Sequence, residues 1–392
     1  MNIKYTNKSV NRIYWGVLLV ILLTLINNGF LESGVISLII YAIQVLMIVL
    51  LAFKEKVLLF RFFTKPLIFF STIILVTNLF LSNYEAEYSL LIKYFGYVVA
   101  LFVGIDVAKS VDVKLSKNIL IGIVFIPFLM VAILDKSPVK DTFFPNTNNF
   151  VFWGIVSSFL YYVTSSHKKK FRNSLIIILS YILVGSTIGI VMAFMLTIVL
   201  VNLKNLKSII LILVVLVLCF LLISFSDISI FVRIRAVIHT LSYVDINNLK
   251  DIENLNLYEL NQYANAGDRN DNTSALWRIQ QWLWLITAFL ENWYYAILIG
   301  LGENFTTFKT GLPPHNDLLK IFCEYGMIVF IAFLKYIKKA ICILFKTNYI
   351  YFVLTIVIFH FSENLIHTFP TNFTFYFCLG YVCTKSLKDT KK

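Results

Sequence analysis

The chain has 392 residues, of which 59% are hydrophobic and only 14% charged, with a mean hydropathy of +0.81. Soluble domains carry about a quarter charged residues, so this composition excludes one and indicates an all-α polytopic membrane protein. The formal net charge of +13 does not point to nucleic acid, because Lys and Arg punctuate apolar runs and form no recognition face.

Apolar runs of bilayer length fall near 14–30, 35–53, 66–82, 88–107, 118–134, 150–165, 172–185, 187–202, 208–225, 317–334, 341–361 and 367–384. They predict about twelve transmembrane helices. The first follows Lys4, Lys8 and Arg12 as a signal peptide would. It lacks a small-residue cleavage site and another span follows directly, so it is read as a retained helix. The seventh and eighth form one apolar stretch, divided here at Gly185-Ser186-Thr187 because Gly-Ser marks a break. Charge supports the count. With both termini cytoplasmic, the basic connections around Lys54–Lys65, Lys109–Lys117, Lys168–Arg172, Lys204–Lys207 and Lys335–Lys346 all lie inside, with the tail lysines. The short connections poor in Lys and Arg lie outside. Cys219, Cys323, Cys342, Cys378 and Cys383 sit in apolar segments without zinc spacing, so neither disulfide nor metal is expected.

One segment resists this scheme. Residues 275–290 (ALWRIQQWLWLITAFL) are apolar enough to span, yet a span there would move Lys335–Lys346 outside. Arg278, Gln280 and Gln281 fall on one polar side. The segment is therefore read as an interfacial amphipathic helix, with Trp277, Trp282, Trp284 and Trp293 as anchors. The expected organisation is nine transmembrane helices in 1–225, an external loop domain in 226–316, and three further helices with a basic cytoplasmic tail in 317–392.

The external domain holds the residues suited to chemistry. Arg233 and Arg235 open it, Arg278 leads the Trp-rich helix, Gly300-Leu301-Gly302-Glu303-Asn304-Phe305 follows, and Pro313-Pro314-His315-Asn316-Asp317 closes it. Arginine forks match phosphate oxygens. Histidine is the side chain best placed to take a proton near neutral pH. Together they suggest an anion site with a base. Bland readings stand beside this one. His315 is open to a capping or interface role, Asn316 or Asp317 to capping the tenth helix, Arg233, Arg235 and Arg278 to headgroup contact, and Gly300/Gly302 to an ordinary turn. Lys93 and Glu324, inside apolar runs, are stronger signals because neither is expected to face lipid.

The order of these pieces resembles the O-antigen polymerase (Wzy-type)/O-antigen ligase (WaaL-type) family of bacterial polysaccharide-assembly membrane proteins. Phe144-Pro145-Asn146-Thr147-Asn148-Asn149 is similar to the family's Pro-Asn element, and Ser186-Thr187-Ile188-Gly189 to its Ser-Arg-x-Gly turn. Gly300–Phe305 resembles its Gly-x-Gly-x-x-Phe element. His315-Asn316 with Leu318, Leu319, Glu324, Tyr325 and Gly326 resembles its His-Asn…Glu-x-Gly block. The resemblance covers roughly 140–384. It departs at Thr187, where the family often has Arg, and that residue's role is not carried over.

The resemblance implies a metal-independent glycosyltransferase of GT-C-like architecture in the bacterial inner membrane, needing no cofactor. It would take a glycan from undecaprenyl pyrophosphate and pass it to an acceptor hydroxyl. Arg278 would bind pyrophosphate and His315 would act as base or position the acceptor. Arg233 and Arg235 would be further phosphate ligands, with Asn146, Gly300, Gly302, Asn316 and Glu324 lining the glycan or pyrophosphate site. The implied partners are the lipid-linked oligosaccharide, membrane lipid and a chain-length regulator, and not nucleic acid. A polymerase, whose acceptor is another lipid-linked repeat unit, is favoured over a ligase acting on lipid A-core because no lipid A-binding feature is legible. A flippase or other transporter is disfavoured, since the polarity is concentrated in one external domain without half-repeats. A metal-dependent oligosaccharyltransferase would need acids in the first external loop, which holds only Glu32.

Overall fold

The computed structural model describes residues 34–54, 66–81, 89–110, 147–164, 249–255, 273–311, 314–345, 349–362 and 368–389, with scattered single positions elsewhere. They form eleven helices among the described residues: α1 (Gly34–Lys54), α2 (Pro66–Leu81), α3 (Ser89–Ser110), α4 (Thr147–Thr164), α5 (Leu249–Asn254), α6 (Thr273–Glu291), α7 (Trp293–Ile299), α8 (Phe305–Thr310), α9 (Asp317–Leu344), α10 (Tyr349–Ser362) and α11 (Phe369–Asp389). The first four and last three fall on apolar runs read from the sequence. The other expected runs lie wholly or largely outside the described residues, as do Asn146, Arg233, Arg235 and the turn at Ser186.

The packing centre is the pair α3–α11. Gly104 and Gly380 let the two backbones touch: a Cβ on Gly104 would overlap the Phe377 carbonyl, and one on Gly380 the Leu101 carbonyl. Small residues at a helix crossing are the usual means of close packing where lipid supplies no hydrophobic drive between helices. Lys388, in the last turn of α11, donates to the Ala108 and Lys109 carbonyls at 2.8 Å each. It thereby satisfies carbonyls that α3 leaves unpaired at its C-terminus. α4 packs on α11 and α1 on α3. Aromatic rings fill the core: Phe159 stacks on Phe352 at 3.5 Å between centroids, and Tyr97 on Phe369 and Tyr376 at 5.5 and 5.4 Å. Outward, α1 exposes Ile39, Ile43, Leu46 and Leu50, and α2 exposes Phe70 and Ile73. The α1 residues recur at three- and four-residue spacing and so form one apolar stripe along the helix.

Two elements differ from expectation. The tenth run was expected to end at 334, with the lysines after it in a loop. Instead α9 continues to Leu344, carrying Lys335, Lys338 and Lys339 on helical turns. Lysine is a good helix former, so hydropathy falls at the end of an apolar run without the helix stopping. α9 is also broken inside, at Gly326, where φ is 75°. Residues 317–325 are thus a half-helix set at an angle to 327–344.

The second difference concerns the Trp-rich segment. Among residues whose side chains the structure describes, no single helix is long and apolar enough to cross a membrane. The bent pair Leu276–Glu291 and Trp293–Ile299 passes that test together, turned by 107°. Asn292 makes the elbow. Its amide N–H bonds the Phe289 carbonyl at 3.2 Å and its side chain donates to the Ala288 carbonyl at 3.0 Å.

Candidate active site

The site starts from the buried face of α6. Leu276, Gln280, Leu285, Ala288 and Phe289 recur near helical spacing and are all buried. Gln280 and Gln281, read from the sequence as a polar outer side, are instead 2% and 0% exposed. The reason for Gln280 is a capping duty. Its Nε2 donates to the Ile252 and Leu255 carbonyls at 3.0 and 2.5 Å, and the Trp284 indole N–H donates to the Glu253 carbonyl at 2.8 Å. α6 side chains thus satisfy the carbonyls at the C-terminal end of the six-residue α5, which is too short to be stable alone. Gln281 keeps both amide atoms without a hydrogen-bond partner among the described residues.

The tryptophans expected to anchor in the interface divide by task. Trp284 fastens α5, as above. Trp282 donates its indole N–H to the Pro314 carbonyl at 2.9 Å, and the Trp277 ring meets the His315 ring edge-on with centroids 5.6 Å apart. Trp293 alone of these is strongly exposed, at 60%, within an outer strip that includes Leu290, Tyr294 and Leu298. Trp277 and Trp282 therefore clamp the loop carrying His315 onto α6. Arg278, half-buried, follows Trp277 directly. Consecutive Cα atoms are about 3.8 Å apart, so the backbone of Arg278 adjoins the corner where Trp277 meets His315.

The loop holds His315 in a defined shape. His315 has φ 45°, in the left-handed region where a side-chain-bearing residue is strained. Asn316 is extended and its Oδ1 accepts the Leu319 amide at 3.0 Å, capping α9. Of the two caps the sequence left open, the cap is Asn316. Asp317 is thereby released for another partner: its Oδ2 lies 2.7 Å from Nδ1 of His360 on α10, with both side chains buried.

Behind this corner a backbone clasp fixes the half-helix 317–325. The Leu301 and Gly302 amides donate to the Cys323 and Glu324 carbonyls at 2.7 and 3.2 Å. Gly300, with φ 82°, lies against Glu324 so closely that a Cβ there would overlap its carbonyl. Gly326 also lies too close to Leu298 and Gly300 for a Cβ to fit without a shift. Asn78 of α2 closes the other side, donating to the Ile299 carbonyl at 2.7 Å. Glu324 is sealed from solvent. Its Oε1 accepts both the amide and the hydroxyl of Thr306, the amide at 3.1 Å, and its Oε2 lies 3.5 Å from the equally buried Lys320. The Tyr325 hydroxyl donates to Glu303. Gly300, Gly302 and Glu324, which the resemblance assigned to a substrate site, all lie in this clasp.

The buried partners Lys320, Thr306 and His360 escaped the sequence reading, and Glu303 entered it only as one letter of the glycine motif. Lys320 and Glu324 stand at i,i+4, a legible spacing. His360, an ionisable residue inside an apolar run, is the kind of signal that marks an intramembrane function.

Comparison with known proteins places this geometry. No curated protein matches the chain. Residues 173–334, which include α6, the clasp and the His315 loop, match the model of a protein family described as O-antigen ligase, Wzy_C, a match consistent with the Wzy/WaaL-type family to which the motif order pointed.

Proposed function

We propose that the protein is an oligosaccharide repeat-unit polymerase of the bacterial inner membrane. It would transfer a growing O-antigen or capsular glycan from undecaprenyl pyrophosphate to the terminal sugar of another lipid-linked repeat unit. One observation carries this reading: Trp277 and Trp282 gather the His315 loop against the helix bearing Arg278. An arginine can stabilise the pyrophosphate as it leaves, and a histidine can take the proton of the attacking hydroxyl. The two groups are needed within one substrate's reach of each other, and the place of Arg278 next to Trp277 on α6 supports that reading.

In this reading the sugar hydroxyl attacks the anomeric carbon, the bond to the pyrophosphate oxygen breaks, and charge grows on the departing diphosphate beside Arg278. His315 accepts the hydroxyl proton or holds the acceptor for attack. Arg233 and Arg235 supply further phosphate contacts. An apolar cavity of about 660 Å³, lined by residues of α1, α2, α3, α9, α10 and α11 and including Tyr94, Phe333 and Tyr376, suits a hydrocarbon chain. The apolar stripe of α1 supports a lipid-facing surface.

The matched family's description as O-antigen ligase favours a second reading, transfer to lipid A-core. Reconstitution with the lipid-linked repeat unit extracted from cells lacking this protein separates the two. A ladder of lengthened, lipid-linked products is expected. Single unlengthened units, together with transfer when lipid A-core is added, would establish the ligase instead. In the same assay His315→Ala should lower the rate by about 10²–10⁴-fold, the usual contribution of a general base. A normal ladder from that variant would remove His315 from the mechanism.

A further inference from the structure

The proposed reaction uses His315 and Arg278 but not His360, a buried histidine of α10. Its Nδ1 lies 2.7 Å from Asp317 Oδ2, with the two side chains 2% and 0% exposed. With Asp317 as a carboxylate, which only accepts, Nδ1 is the donor of the pair. Phe333 stands edge-on to the ring at 5.7 Å, and Nε2 has no hydrogen-bond partner among the described residues. The pair joins the first residue of α9 to the far end of α10, 43 positions later in the chain.

The location matters more than the bond. His315 is strained, at φ 45°, and strained conformations persist only when the surroundings over-determine them. From Pro314 to Asp317 the chain is fastened residue by residue: Pro314 to Trp282, His315 to Trp277, Asn316 to Leu319, and Asp317 to His360. Three of these ties lead to α6 or to α9 itself. Only the last reaches α10. The break at Gly326 separates 317–325 from the rest of α9, so the half-helix cannot borrow alignment from 327–344. Its C-terminal end is held by the clasp to Leu301 and Gly302, and its N-terminal end by His360.

We infer that His360 is a positioning residue, which through Asp317 sets where His315 stands relative to Arg278. This rests on the catalytic reading of the Arg278–His315 corner. A displacement of about 1 Å in a reacting group can cost up to about a hundredfold in rate, so the tie can control turnover without touching substrate.

The test uses the full chain reconstituted with the lipid-linked repeat unit extracted from cells lacking this protein. His360→Leu removes the donor and keeps bulk. His360→Asn keeps a side-chain N–H near the position of Nδ1. The expected result for His360→Leu is a fall in kcat of about tenfold or more with KM little changed, and recovery to within about threefold of wild type in His360→Asn. With His315→Ala already present, His360→Leu should cause little further loss, because the two act through one group. Full activity of His360→Leu, a change confined to KM, failure of His360→Asn to recover any of the loss, or a full additive loss with His315→Ala would each overturn the inference. An active His315→Ala would overturn the proposed role of His315 itself, whereas an inactive His315→Ala beside an active His360→Leu overturns only the tie.

Discussion

His315 and Arg278 come from opposite ends of a 38-residue stretch, and what brings the His315 loop to the helix bearing Arg278 is two indole rings. Trp282 takes the Pro314 carbonyl and Trp277 packs on the imidazole. Arg278 sits beside that clamp, which is why its geometry, and not only its charge, should matter. Arg278→Lys keeps the cation but loses the planar fork that matches two phosphate oxygens. A charge-assisted hydrogen bond contributes about 1.5–3 kcal/mol, so turnover on the lipid-linked substrate should fall by about ten- to a hundredfold. A fully active lysine variant would reduce the arginine to simple charge attraction. Glu324 makes the opposite case. The motif order marked it as a site residue, but its oxygens face Thr306 and Lys320 in a pocket closed to solvent. Glu324→Ala leaves a buried lysine uncompensated, which costs about 3–5 kcal/mol. The expected signature is a lowered unfolding temperature in detergent. Unchanged thermal stability with lost activity would return Glu324 to the substrate.

At the scale of elements, the apolar runs were legible because helix length in a bilayer is fixed by its thickness. The described helices α1 to α4 begin and end within a few residues of those runs. The failures share one cause: hydropathy reports where a side chain prefers to be, and not what its hydrogen bonds must do. Gln280 reads as polar and therefore outward, but it is consumed in capping α5. Gly326 was visible as a motif letter, while its φ of 75° and the resulting break in α9 were not. Gly300 and Gly326 meet across that break, each too close to backbone for a Cβ. Gly326→Ala should therefore do more than lower flexibility. The strain of a left-handed alanine costs roughly 1–3 kcal/mol, and the methyl group would also push α7 away from the half-helix. We expect a clear drop in unfolding temperature together with lost glycan lengthening, since the clasp aligns the base of the His315 loop. A variant as stable as the wild type would mean that α9 straightens without penalty, and the clasp would then have no structural role.

At the scale of the molecule, the charge distribution bears on how the reaction is assisted. A divalent cation acting on pyrophosphate needs several oxygen ligands free to bind it. Among the described residues, three carboxylates of the loop and clasp are already engaged inside the protein: Asp317 with His360, Glu303 with Tyr325, and Glu324 with Thr306 and Lys320. α6 instead carries a guanidinium at Arg278, which keeps its positive charge permanently and supplies hydrogen bonds that a metal would not. In the proposed reaction the neutralising of the leaving diphosphate would fall to arginine. Turnover in the reconstituted system should accordingly persist in excess chelator and show no gain on returning Mg²⁺ or Mn²⁺, while Arg278→Lys should not be rescued by either ion. Activity abolished by chelator and restored by a divalent cation would show that the buried acids rearrange to bind it, and the arginine-based account of diphosphate departure would have to be abandoned.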